Sequence, residues 1–134
     1  MDNLAFEKIY IDDYFYQLRI IANNDRITMS ANVYTQTHHI NEFQVGVKDI
    51  LVKPFTIVMG NDDESEIDCV RLTANSNKRG NVTISIYMKT RADEQVNDKA
   101  YFTISTDVSS LDRFASNLNA IDQGVVGAKI QLHS

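Results

Sequence analysis

The sequence predicts an α+β fold: a largely antiparallel sheet of about eight strands carrying two helices on one face, built by tandem duplication of a unit that runs hairpin, helix, strand. Three observations lead there. QLRIIANNDRITMS at 17–30 and CVRLTANSNKRGNVTIS at 69–85 share their order of apolar, Arg, Ala-Asn and Thr-x-Ser positions. INEFQVGVKDI at 40–50 matches LDRFASNLNAI at 111–121 at every large apolar position, and each of these is followed by another extended run. The pseudo-repeat therefore falls at 14–60 and 66–134 within one domain spanning 1–134.

Within the first hairpin, Leu18, Ile20 and Ala22 alternate with Gln17, Arg19 and Ile21, and Ile27, Met29, Ala31 and Val33 alternate with Thr28, Ser30, Asn32 and Tyr34. A period of two is what a strand with one buried face requires. Val70, Leu72 and Ala74, then Val82, Ile84, Ile86 and Met88, repeat the pattern, and ANND and ANSNKRGN supply the residues that close tight turns. Ile40, Phe43, Val47 and Ile50, like Leu111, Phe114, Leu118 and Ile121, are spaced three, four and three apart, which lines one face of a helix. Ser109 with Asp112 resembles a capping box for the second helix, and Gly124 stands where a left-handed C-terminal residue is expected. Gly46 inside the first helix costs about 1 kcal/mol relative to alanine. PFTIVMG at 54–60 and AKIQLH at 128–133 read as the closing strands, FEKIYID as a leader strand and DKAYFTISTDV as an extra strand in the second half. The offset between the copies accordingly grows from 52 residues at Arg19/Arg71 to 55 at Thr28/Thr83 and 71 at Phe43/Phe114. The apolar faces, together with Ile104 and Ile130, form the expected core; Thr28, Ser30, Asn32, Tyr34, Thr83, Ser85, Tyr87, Lys89, Thr103 and Ser105 form the expected polar face.

With 134 residues, 43% hydrophobic and 23% charged, the chain is long enough for a substantial core, and its net charge of −5 opposes phosphate backbones and favours a basic partner. The single cysteine, Cys69, permits no intramolecular disulfide and no thiolate cage. Acidic residues stand where a signal peptide would be basic, and no apolar run reaches membrane-spanning length, so a cytoplasmic protein that does not span a membrane is expected.

Chemistry-bearing clusters are sparse. His38 and His39 are adjacent and His133 is remote, unlike the i, i+4 spacing of helical zinc ligands, and no metal or cofactor is expected. Cys69 has no sequence neighbour that would activate it. No phosphate loop, nucleophile elbow or specific carboxylate pair nominates an enzyme. The acidic run NDDESEID at 61–68 lacks EF-hand spacing, which leaves it as a solvated loop or a docking surface for a basic protein. Asp62, Asp63, Glu64 and Glu66, with Tyr14 and Tyr16, are the expected contact residues. The alternative is a nucleic-acid or small-ligand platform using Tyr34, Tyr87 and Lys89 on the polar face, although the net charge opposes nucleic acid.

NVTISIYMKT followed by AYFTISTDVSSLDRFASNLNAI and GAKIQLH resembles the small acidic immunity proteins of bacterial polymorphic-toxin systems, where a strand hairpin precedes a Leu-x-x-Phe helix and a closing strand. That resemblance implies a non-catalytic inhibitor or regulatory partner of a basic, toxin-like protein. The tandem arrangement is also similar in outline to PUR-type repeats that bind single-stranded nucleic acid, but differs in the strand after each helix and in its acidity. Exposed sheet edges leave a homodimer open.

Overall fold

The computed structural model, which describes residues 2–61, 67–91 and 97–133, is α+β with eight antiparallel strands and two helices. In chain order the elements are β1 (Asn3–Ile11), β2 (Tyr16–Asn23), β3 (Thr28–Thr35), α1 (Thr37–Lys48), β4 (Phe55–Gly60), β5 (Cys69–Ser76), β6 (Asn81–Arg91), β7 (Asn97–Asp107), α2 (Val108–Asp122) and β8 (Lys129–His133). The strands form two four-stranded sheets, β3-β2-β1-β8 and β4-β5-β6-β7, which corrects the expectation of a single sheet. Alternation in a sequence tells which side chains share a face but not which strands are neighbours. Here each helix delivers the strand after it to the other meander: β4 pairs with β5, and β8 returns to pair with β1. Each half thus runs three strands, helix, strand, with its last strand beside the first strand of the other half.

The β2–β3 and β5–β6 turns are each built by an asparagine side chain. Asn24 Oδ1 accepts the N–H groups of Arg26 and Ile27 at 2.8 and 2.9 Å, and Asn77 Oδ1 accepts those of Arg79 and Asn81 at 2.9 and 3.0 Å. Such local bonds let Asn stand in for backbone in a turn. Gly80, at φ +82°, supplies the left-handed position in the longer turn.

The helices do not lie together on one face of a common sheet. α1 packs on α2 and β4, while α2 also reaches β8, β7 and β1, so one core is shared by both sheets. At its centre Phe6 of β1, Phe43 of α1 and Phe114 of α2 meet with ring centroids 5.1–6.4 Å apart, edge-on or tilted as ring quadrupoles favour. The two phenylalanines matched in the sequence are thus in contact with each other. The sheets are also tied by side chains: the Asp68 carboxylate accepts the N–H of Asn32 in β3 at 2.9 Å and that of Arg91 in β6 at 3.0 Å. Asn24 Nδ2 donates to Thr103 O at 3.0 Å, and Asp2 Oδ2 accepts from Ser105 N–H at 2.7 Å, using part of the β7 edge. Among the described residues, no helix is long and apolar enough to cross a membrane.

The helix ends differ from expectation. α2 is capped by Asp107, whose carboxylate accepts the Ser110 N–H at 2.7 Å, and not by Ser109; the helix begins one turn earlier than its apolar stripe. Gly124 has no left-handed φ; it is small because a Cβ there would lie 2.2 Å from Ala120 O. The Ser110 hydrogen bonds hold the Asp107 carboxyl below its ordinary value. A lowered pKa contributes stability above the ordinary carboxylate value, about 3.9, and that contribution disappears as pH falls through the lower folded value. Asp107→Ala is therefore expected to lower Tm at neutral pH and to match the parent protein in strong acid. A thermal-unfolding difference that persists in acid would show that Asp107 acts other than through its charge.

Candidate functional site

Large apolar side chains come to the surface together at one end of the first sheet. The end of β1 exposes Tyr10 and Ile11, the β1–β2 turn exposes Tyr14, 83% exposed, and the loop after α2 exposes Val125 and Val126, the former 78% exposed. The backbone brings the two segments side by side: Gly127 N–H donates to Lys8 O at 2.8 Å, and Lys8 N–H donates to Ala128 O at 2.9 Å. An Asx turn holds Tyr14 outward, because Asp12 Oδ1 accepts the N–H groups of Tyr14 and Phe15 at 2.8 and 3.0 Å. Exposed Asp13 stands next to it.

A buried polar network supports this tip from beneath. Lys8 is fully buried, since it shares the strand parity of Leu4 and Phe6. Its ammonium donates to Asp122 O at 3.1 Å and Gly124 O at 2.9 Å, capping the carbonyl end of α2, and lies 4.1 Å from the centre of the Tyr16 ring. Tyr16 Oη donates to Asp122 Oδ1 at 2.7 Å, and Thr37 Oγ1, in the first turn of α1, donates to the same oxygen at 3.1 Å. β2 and α1 therefore meet on the Asp122 carboxylate, while β1 is tied through Lys8 to the main chain of the same residue. Burial pulls the Lys8 ammonium below its ordinary pKa while the Asp122 charge pulls it back up. Burial first, and then the Asp122 hydrogen bond and charge, push the Tyr16 phenol far above its ordinary value.

The expected contact residues separate in the structure. Tyr14 is at the exposed tip, but Tyr16 is buried and supports the tip without presenting a surface. Asp62, Asp63, Glu64 and Glu66 lie outside the described residues. Tyr34 and Tyr87 occupy different sheets: Tyr34 packs edge-on to Phe15 in the first, and Tyr87 stacks under Arg71 and beside Tyr101 in the second. Lys89 is buried, with Nζ donating to Asn61 O at 2.9 Å, so its ammonium is not a surface cation. Tyr34, Tyr87 and Lys89 therefore do not make one platform. His38 and His39 stack with centroids 4.0 Å apart, and His39 Nδ1 accepts the Gln36 N–H at 3.0 Å ahead of α1. Burial first and then neighbouring His38 lower the His39 pKa. Among the described residues, no three His, Cys, Asp or Glu side chains come together as a metal site. Cys69 is buried.

Sequence reasoning passed over Tyr10, Ile11, Val125 and Val126. Their signal is present but weak: Tyr10 and Ile11 are adjacent at the end of β1 and Val125 and Val126 are adjacent between α2 and β8, where alternation has stopped and one partner of each pair cannot face the core. An open cavity of about 600 Å³ also lies between α1 and β4. Comparison with protein-family models, with curated proteins and with solved structures gives no match for the chain.

Proposed function

We propose that the protein is a non-catalytic binding protein, an immunity-type inhibitor or regulatory partner, that engages a basic protein through the tip formed by Tyr10, Ile11, Tyr14, Val125 and Val126. The observation that carries this reading is the concentration of exposed apolar side chains at the joined β1–β2 and α2–β8 segments, with Asp12 and Asp13 beside them. The chain's net charge of −5 supports a cationic partner, because complementary charge speeds encounter and selects against acidic proteins. Aromatic and aliphatic anchors supply the affinity, and the rigid Asx turn limits the ordering cost of presenting Tyr14.

The test compares the parent chain with Tyr14→Ala and Val125→Asp as immobilised baits in a nuclease-treated lysate of the source cells. A basic protein retained in a salt-dependent manner by the parent and lost with either substitution is expected. Each substitution should weaken the purified pair by about tenfold or more, as loss of an interface anchor does. Equal retention by all three baits would overturn the reading, as would retention found in untreated lysate but absent from the nuclease-treated one.

A further inference from the structure

The cavity between α1 and β4 is bounded by a strand edge. No residue of β5 lines it; its walls are His38, Glu42, Val45 and Gly46 of α1 with Phe55 and Ile57 of β4, so it opens on the side of β4 away from β5, the strand with which it pairs. The edges of β3 and β7 are partly occupied by Asp68, Asn24 and Asp2, but among the described residues the outward backbone groups of β4 have no such partner. The passage is lined below by Phe55, flanked by exposed Val45, and followed by the exposed Leu51 and Val52 of the α1–β4 loop. Gly46 keeps it open on the helix side, its missing side chain leaving room for the Phe55 ring.

A strand edge beside a helix, with an apolar slot between them, is the geometry that accepts an added strand: main-chain hydrogen bonds give affinity and alternate side chains enter the slot. Charge narrows the occupant. Glu42 of α1 and Asp49, its C-cap residue, both line the cavity, seven residues and about 10 Å apart along the helix direction. Neither forms an ion pair among the described residues, and only Lys53 among the lining residues carries an opposing permanent charge. In an extended segment, side chains of the same face recur about every 7 Å, so two cations flanking an apolar residue on one face reach both carboxylates with their flexible stems.

We propose that β4 is the acceptor for an extended lysine- or arginine-bearing segment of a protein partner, which adds to the second sheet as a fifth strand and seats an apolar side chain against Val45, Gly46 and Phe55. This site is separate from the β1–β2 tip and does not depend on it.

The probe is a labelled, terminally blocked peptide with Lys, Val and Lys at alternate positions, spaced by threonines. Binding to the whole chain is followed by fluorescence anisotropy and by amide hydrogen exchange. Saturable binding with slowed exchange confined to Phe55–Gly60 is expected. It should weaken about tenfold or more with Val45→Glu, or with Glu42→Lys plus Asp49→Lys, all at exposed positions that folding does not need. Backbone N-methylation of the peptide should abolish binding, since it removes the edge hydrogen bonds, whereas Tyr14→Ala in the protein should leave it unchanged. A peptide with glutamates for lysines binding equally well, exchange unaltered at β4, or a concentration-dependent dimer of the chain that protects β4 would each overturn the proposal, the last in favour of edge-to-edge self-pairing.

Discussion

Asp122→Ala will destabilise the protein by about 2 kcal/mol, a large fraction of the stability of a single domain. The substitution removes the acceptor of the Tyr16 hydroxyl at 2.7 Å and of the Thr37 hydroxyl at 3.1 Å, and it deletes the charge that offsets the fully buried Lys8 ammonium. A pair lost at the surface would cost little; here the Tyr16 hydroxyl loses its acceptor, and the Lys8 ammonium, bonded to two carbonyls and packed over a ring, loses a nearby opposite charge. The coupling gives the decisive measurement. Lys8→Met keeps most of the stem volume and removes the charge, so the double variant Lys8→Met, Asp122→Ala should be clearly more stable than the sum of the two single losses implies. Urea denaturation of the four proteins reads this directly, and strict additivity would mean that Asp122 acts only as a hydroxyl acceptor. The pH dependence follows from the same groups. Tyr16 is raised in the folded state, so its contribution is complete below the ordinary phenol value of about 10 and is lost as pH rises above it. Lys8 is lowered, so between its folded value and the ordinary lysine value of about 10.4 it works in the opposite sense, adding stability as pH rises. Net alkaline loss therefore begins only above the phenol value, and Tyr16→Phe should shed part of it while being less stable at neutral pH.

The same network shows where the sequence was legible. Tyr16 has the parity of Leu18, Ile20 and Ala22, and Lys8 that of Leu4 and Phe6; alternation alone assigns both to the core face, against what their polar ends suggest. Reading Tyr16 as a contact residue gave weight to residue type where position carried the information. The strands, both helices and their apolar stripes were visible because each is a local period, whereas the contact between Phe43 and Phe114 is a tertiary arrangement that the match of the two stripes does not specify. The division into two sheets was not, because the exchange of β4 and β8 between the meanders is a choice of neighbours that no local period records. Lys89 is a harder case. It shares the outward parity of Tyr87 yet is buried and bonded to Asn61 O, a placement set by a distant segment that strand alternation could not reveal. The tip was legible only in part: Tyr14 stands out in sequence, whereas Val125 and Val126 join it only once β8 pairs with β1 and the loop ahead of β8 bonds to Lys8.

Gly46→Ala will lower stability by about 1–2 kcal/mol, although helix propensity alone assigns alanine a gain of about 1 kcal/mol at such a position. A Cβ built at Gly46 lies 2.3 Å from Phe55 Cγ and 2.5 Å from Cδ2, so the ring or the helix must move. Phe55 is only half-buried, which lets the ring swing toward the cavity and keeps the penalty below that of a clash in a closed core. That movement costs its edge-on contact with Phe43, now at 5.5 Å, and fills the slot proposed to receive an added side chain. Two readouts should therefore change together: a lower denaturation midpoint with an unchanged m-value, and weaker binding of the lysine and valine peptide. A more stable Gly46→Ala protein would show that α1 and β4 have slack at their contact. Glycine would then be a cost to the helix with no packing to offset it, and the slot between them would not depend on this position.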